Sequence, residues 1–203
     1  MKAKPHRKST FINLDRTRCA IQEISGYTPT DATIWKSIRS TNLQRLTREF
    51  LWKLGDFWSH IDHLDMMGQC HICRVPESLE HIAVECDAYG QSIVWNLTKQ
   101  FGDWFWMHLG RLFAILVSIA WHLIWKLRVD RVMVNPNMPL NKDAIHNQWL
   151  KMVNAGLQRD RILTNKRRFG TLALKKQIVL NTWSGLLMDE NSLPDDWIST
   201  RGF

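Results

Sequence analysis

Between residues 70 and 86 the chain reads CHICRVPESLEHIAVEC, a Cys-x2-Cys pair followed by His81 and then Cys86. Two cysteines separated by two residues form a tight turn that presents both sulfurs to one cation. Ser78 opens a short helix that carries His81, and Cys86 falls at its end. Three thiolates and one imidazole complete a tetrahedron and leave no open position for a substrate water, so the pattern predicts one structural Zn2+ ion on Cys70, Cys73, His81 and Cys86. Binding free energy at such a site is folding free energy. The metal stands in for a core that so short a segment cannot bury.

Other uses of these residues fit less well. A redox Cys-x-x-Cys requires a βαβ context, which the surrounding pattern lacks. Disulfides require an oxidising compartment, and the opening MKAKPHRKSTF has charge without the apolar segment of a secretory signal. His71 could compete as a ligand, but its spacing is poor. A histidine merely satisfied near three unrelated thiols is the bland alternative. Cys19 has no cysteine near it in sequence and reads as a small buried apolar residue.

Around this segment the sequence reads as mostly α: a helical domain with a small zinc-bound insert and room for a short hairpin at the Cys-x-x-Cys. Residues 1–26 read as a basic, disordered arm, residues 27–187 as a single helical domain with the zinc site at 70–86, and residues 188–203 as an acidic tail. Thr30 or Asp31 can cap a helix carrying Ile34, Trp35 and Ile38. Leu43, Leu46, Phe50, Leu51 and Leu54 mark one face of a helix over 41–54, stopped by Gly55. Further helices are expected over 91–101, 111–134, 143–166 and 172–187, with a break at NPNMPLN. The run LFAILVSIAWHLIW, from Leu112 to Trp125, is the most apolar in the chain. A bilayer span needs about 20 apolar residues, so this run reads as the central helix of a core. That points to an intracellular protein, nuclear or cytoplasmic, with no signal peptide and no transmembrane segment.

The chain has 203 residues, 45% of them hydrophobic and 11 of them Trp, and a formal charge of +8. The composition is that of a chain that folds, and the charge favours polyanions, either nucleic acid or an anionic membrane surface. The basic residues gather at Lys2 to Lys8, at Arg159, Arg161, Lys166, Arg167 and Arg168, and at Lys175-Lys176. A helix C-terminus also favours cations, so the middle cluster has a purely structural explanation too. No carboxylate set suited to two-metal chemistry is present: Asp15 and Glu23 stand alone, and Asp195-Asp196 lies beside Pro194 without partners.

The blocks IWKSIRSTNLQRLTREFLWK, CHICRVPESLEHIAVEC, AWHLIWKLRVDRV, IHNQWL, LTNKRRFG and LNTWSGLLMDENSLPDDW resemble one family. It is the C-terminal zinc-binding region of reverse transcriptases from non-LTR (LINE-like) retrotransposons of mushroom-forming fungi. The resemblance extends from about Tyr27 to Trp197 and is most specific in the Cys-His block and the tryptophan-bearing helix before it. In that family the region follows reverse transcriptase and ribonuclease H domains, which this sequence does not contain. The stretch between Trp95 and Trp121 is shorter than in family members. The resemblance implies Cys70, Cys73, His81 and Cys86 as zinc ligands. It also implies an accessory or relic domain that handles RNA or DNA without catalysis of its own, or one that docks on those two enzyme domains. If the apolar run belongs to a core, the expressed protein is expected to leave membranes in a high-salt and carbonate wash; retention would show that it inserts.

Overall fold

The computed structural model describes residues 8–40, 43, 45, 47–49, 69–77, 81–103, 110–134 and 141–199. These are mostly helical, with no strand among the described residues. The α-helices are α1 (Lys8–Ser25), α2 (Asp31–Ile38), α3 (Tyr89–Asp103), α4 (Arg111–Val129), α5 (Lys142–Leu163), α6 (Lys166–Phe169) and α7 (Lys176–Trp183). Wide π-type turns occupy His81–Glu85 and Asp130–Val134, and 3-10 turns occupy Gly170–Leu172 and Glu190–Ser192. The chain divides into two compact units, residues 1–91 with 124–136 and residues 92–123 with 137–203. This differs from the one domain expected over 27–187. The division falls within α4: its residues through Leu123 belong to one unit and those from Ile124 to the other.

α4 is buried at Leu112, Ile115, Leu116, Ile119, Ala120, Leu123, Ile124, Leu127 and Arg128. Steps of three and four residues keep these positions on one side of the helix. Phe113 and Lys126, off that stripe, are exposed. With the turn that follows, α4 is the one helix among the described residues long and apolar enough to cross a membrane, and 56% of its most apolar window is buried within the protein.

In the first unit the expected disordered arm is corrected from residue 8 onward. Residues 8–25 form α1, which Gly26 ends with a left-handed φ of 68° and an N–H bonded to the Gln22 carbonyl at 2.8 Å. Arg18 fastens α1 to the start of α2: its Nε donates to the Pro29 carbonyl at 3.2 Å and its guanidinium pairs with Asp31. Thr30 caps α2 as its sequence suggests, accepting from the Thr33 N–H at 3.2 Å. The helix expected over 41–54 lies mostly outside the described residues; Arg45 pairs with Glu49 at 2.7 Å one turn on.

In the second unit Asn141 caps α5, accepting from the Asp143 N–H at 2.8 Å. α7 is shorter than the span expected over 172–187. It starts only after the 3-10 turn and stops at Trp183, because Ser184 turns extended and Gly185 takes a φ of 83°. The acidic tail is not a loose end. Trp197 and Ile198 are buried, Lys176 pairs with Asp196 at 2.8 Å, and the buried Arg161 donates to the Ile198 carbonyl at 3.3 Å.

Asp160 organises this unit. Its carboxylate is fully buried and accepts from Arg111 at 2.5 and 2.8 Å, from the Trp183 indole N–H at 2.9 Å and from Arg159 at 3.1 Å. Burial pushes this carboxyl up, but the Arg111 and Trp183 hydrogen bonds outweigh it and hold it below the usual carboxylate range. A folded pKa below the unfolded value of about 3.9 means that the group stabilises the fold above that pH and ceases to do so as pH falls through the folded value. The unit is therefore expected to lose stability below about pH 4, with Asp160→Asn flattening that dependence. Asp160→Asn also leaves Arg111 with a neutral partner in a buried site. It should cost about 3–5 kcal/mol in denaturant unfolding, whereas a value below about 1 kcal/mol would show the pair to be incidental.

Candidate metal centre

Cys70, Cys73, His81 and Cys86 lie in the first unit and converge: one ligand atom from each falls within 4.8 Å of every other. Two local devices bring them together. The first is a tight loop from Gln69 to Pro76, closed by an isolated antiparallel bridge between those residues, the remnant of the expected hairpin. Within it the Cys70 N–H donates to the Val75 carbonyl at 2.9 Å and the Arg74 N–H to the Cys70 carbonyl at 2.8 Å. Arg74 adopts a left-handed φ of 60°, a conformation that favours glycine. The second device is the turn His81–Glu85, in which the Cys86 N–H reaches the His81 carbonyl at 2.7 Å. On an α-helix, residues five apart point about 140° away from each other. Over His81–Glu85 the wider i to i+5 turn brings His81 and Cys86 back toward one side, where an α-helix would not; the helix start expected at Ser78 lies outside the described residues.

The sulfur of Cys86 is 3.6 Å from that of Cys70 and 3.9 Å from that of Cys73. Tetrahedral zinc with sulfur ligands at about 2.3 Å sets an S···S edge of about 3.8 Å. The observed spacing fits a single cation at the centre. Nδ1 of His81 lies 3.9 Å from the exposed Glu85 carboxylate. The Asp87 N–H donates to the Cys73 sulfur at 3.3 Å. Burial raises the Cys70 thiol, but the Cys73 N–H, the His81 ring and the Ile72 N–H outweigh it and lower its pKa to about 6. At Cys86 burial prevails; with the neighbouring Cys70 and Cys73 sulfurs it pushes the thiol up to about 12, against the Ala88 N–H. Thiols this close do not ionise together on their own, and a shared cation is what lets them. The packing agrees, since Cys70, Cys86 and Ala88 with Cys73 form the local apolar cluster. The ligands are themselves the core here.

Glu77 and Arg128 carry the loop's attachment, which the sequence did not signal because they lie 51 positions apart. Arg128, on α4 within the same unit, donates through Nε to Glu77 at 2.9 Å and again through Nη2. Its guanidinium also lies 5.3 Å from the centre of the Trp125 ring. His71 is exposed and outside the group. Cys19 is also exposed and outside it, correcting the buried position expected; it sits on the solvent side of α1.

The basic residues singled out from sequence divide into two sets. Arg159 bonds to Asp160, and Arg161 is buried with its hydrogen bonds on the Ile198 carbonyl and on Gln158. Both are engaged in hydrogen bonds within the second unit. Lys166, Arg167 and Arg168 are exposed, and no carboxylate pairs with them among the described residues. They do not close the long helix. α5 ends at Leu163, and Asn165 starts the separate α6 by accepting from the Arg168 N–H at 3.1 Å. The cluster instead occupies the last turn of the short α6, just before its C-cap Gly170.

The chain thus contains a Cys3His group with the geometry to hold a metal ion, within a mostly helical protein. Comparison with protein-family models, with curated proteins and with solved structures returns no match. Cys73→Ser should abolish stoichiometric metal binding and the local order of 69–88, while Cys19→Ser leaves metal content unchanged, as read by metal analysis and hydrogen exchange. Arg74→Gly should leave metal content and melting temperature equal or higher, while Arg74→Val should cost about 1–2 kcal/mol; equal behaviour of the two variants would count against the left-handed turn.

Proposed function

We propose that the chain is a zinc-binding, nucleic-acid-binding accessory domain without catalysis of its own, of the kind its resemblance to retrotransposon reverse transcriptases implies. The observation that carries the metal half is the sulfur spacing at Cys70, Cys73 and Cys86. Three thiolates with one imidazole select a borderline-soft cation of tetrahedral preference, which favours zinc over magnesium or calcium. With all four positions taken by protein, zinc would hold the loop and the His81–Glu85 turn together and would not activate water. The nucleic-acid half is supported by the +8 charge and by the exposed Lys166, Arg167 and Arg168. Cations without carboxylate partners are available to phosphate, and contacts of that kind give affinity with little sequence preference.

A docking role toward reverse transcriptase and ribonuclease H domains is the second reading. It is favoured by Leu172 and Met188, which are 89% and 91% exposed in the second unit. Salt separates the two readings. Nucleic-acid binding should fall steeply between about 50 and 200 mM salt, because phosphate contacts release counterions, while apolar docking should hold or strengthen. Protein purified without chelator is expected to carry one zinc per chain. Less than about half an equivalent, with no gain on adding zinc, would overturn the metal assignment. Replacing Lys166, Arg167 and Arg168 by Gln should lower both the affinity and its salt slope with zinc content unchanged.

A further inference from the structure

Resting on that nucleic-acid reading, we infer that the groove of about 1030 Å³ between the end of α5, α6 and the start of α7 is a single-strand site, taking phosphates at its rim and unstacked bases on its floor. The groove lies wholly within the second unit. Its lining is mixed: Ile162, Ala173, Leu174 and Ile198 give it an apolar floor, and Gln158, Thr164, Asn165 and Ser199 add neutral polar groups. Its rim carries Lys166, Arg167, Arg168 and Lys175, all exposed. Lys176 also lines it but is held by Asp196 at 2.8 Å, and Arg161 is turned to the Ile198 carbonyl. The charge available to a ligand is therefore concentrated on the α6 side.

The groove is folded into this form by bonds independent of any ligand. The Leu174 N–H donates to the Leu163 carbonyl at 2.9 Å, which brings the segment after the 3-10 turn back beside the end of α5. Ile198 is buried and fixed in place by the bond from Arg161 to its carbonyl. Ile162 is nevertheless 53% exposed, an apolar side chain left open on the floor.

Cationic rim and apolar floor together choose among polyanions. A duplex meets the rim with phosphates, but its bases are paired and stacked, so the floor gains nothing from it. A single strand offers phosphates and the apolar faces of bases at once. Two guanidinium forks match phosphate oxygens better than ammonium groups alone would. The Arg168 guanidinium already lies 5.4 Å from the Phe169 ring centre, a planar pair beside which a base can stack. An acidic peptide would satisfy the rim, but its carboxylates lack planar apolar faces to cover the floor.

The test uses the full zinc-loaded chain and fluorescence anisotropy with four probes. These are single-stranded oligo-dT and oligo-U of about 20 nucleotides, a duplex of the same length and an oligoglutamate of matched charge. Single strands are expected to bind at least about tenfold tighter than the duplex or the oligoglutamate at the same salt. Ile162→Ser with Leu174→Ser should weaken the single strand about threefold to tenfold and leave the duplex unchanged. Photocrosslinking of iodouracil-substituted oligo-U to the parent chain should label residues within 158–176, a readout that does not depend on how the floor variant folds. Equal affinity for single strand and duplex, or crosslinks only elsewhere, would overturn the groove while leaving nucleic-acid binding in place. Tighter binding of oligoglutamate would overturn it in favour of a peptide site. Failure of every nucleic acid to bind at about 0.1 M salt would remove the underlying reading as well.

Discussion

Sulfur atoms spaced 3.6 and 3.9 Å apart in a loop with almost nothing else to bury set the terms for the first unit. Neutral thiols in such contact attract only weakly, and more than one thiolate would repel. A cation at the centre would convert that liability into the strongest local interaction, because each ligand distance would then become a bond. The neighbouring features read as ways of meeting this one constraint. Arg74 takes a left-handed φ to close the loop, and the turn after residue 80 widens to bring His81 and Cys86 to one side. The exposed Glu85 carboxylate lies 3.9 Å from the imidazole, and Glu77 fastens the loop to Arg128.

The second unit is organised by a different device, a buried carboxylate. Asp160 gathers donors from α4, α5 and α7 at one point, and each of those helices also buries apolar residues. A lone charge there would be unaffordable. Arg111 supplies the countercharge, and the Trp183 indole satisfies a further lone pair. The two units thus solve the same problem with different chemistry. In the first, the loop around Cys70 buries little besides its own candidate metal ligands; in the second, an ion pair fixes which helices meet.

Placement also sorts the charge. The sequence shows a run of cations from Arg159 to Arg168 of one apparent kind. In the fold, Arg159 and Arg161 turn inward to a carboxylate and a carbonyl, and only the α6 residues face solvent. What distinguishes them is helical phase. Residues 160 and 161 lie on the buried side of α5, whereas the restart at Asn165 gives Lys166, Arg167 and Arg168 a phase of their own.

Much of this protein was legible without coordinates. The four ligands follow from spacing alone, because a Cys-x2-Cys turn and a nearby His and Cys constrain geometry over 17 or so residues of chain. The helix of the apolar run, the Thr30 cap and the mostly α character follow from periodicity and capping, which are local. Other features depended on partners far along the chain. The order of α1 rests on Arg18 reaching Pro29 and Asp31, and the folded-back tail rests on Trp197, Ile198 and the Lys176–Asp196 pair. The exposure of Cys19, the Glu77–Arg128 attachment, the inward turn of Arg159 and Arg161 and the groove beside α6 are of the same kind. Local pattern determined which residues can ligate a metal and where most helices run. Only tertiary structure decided which charges and thiols face water, because that depends on which distant surface covers each residue.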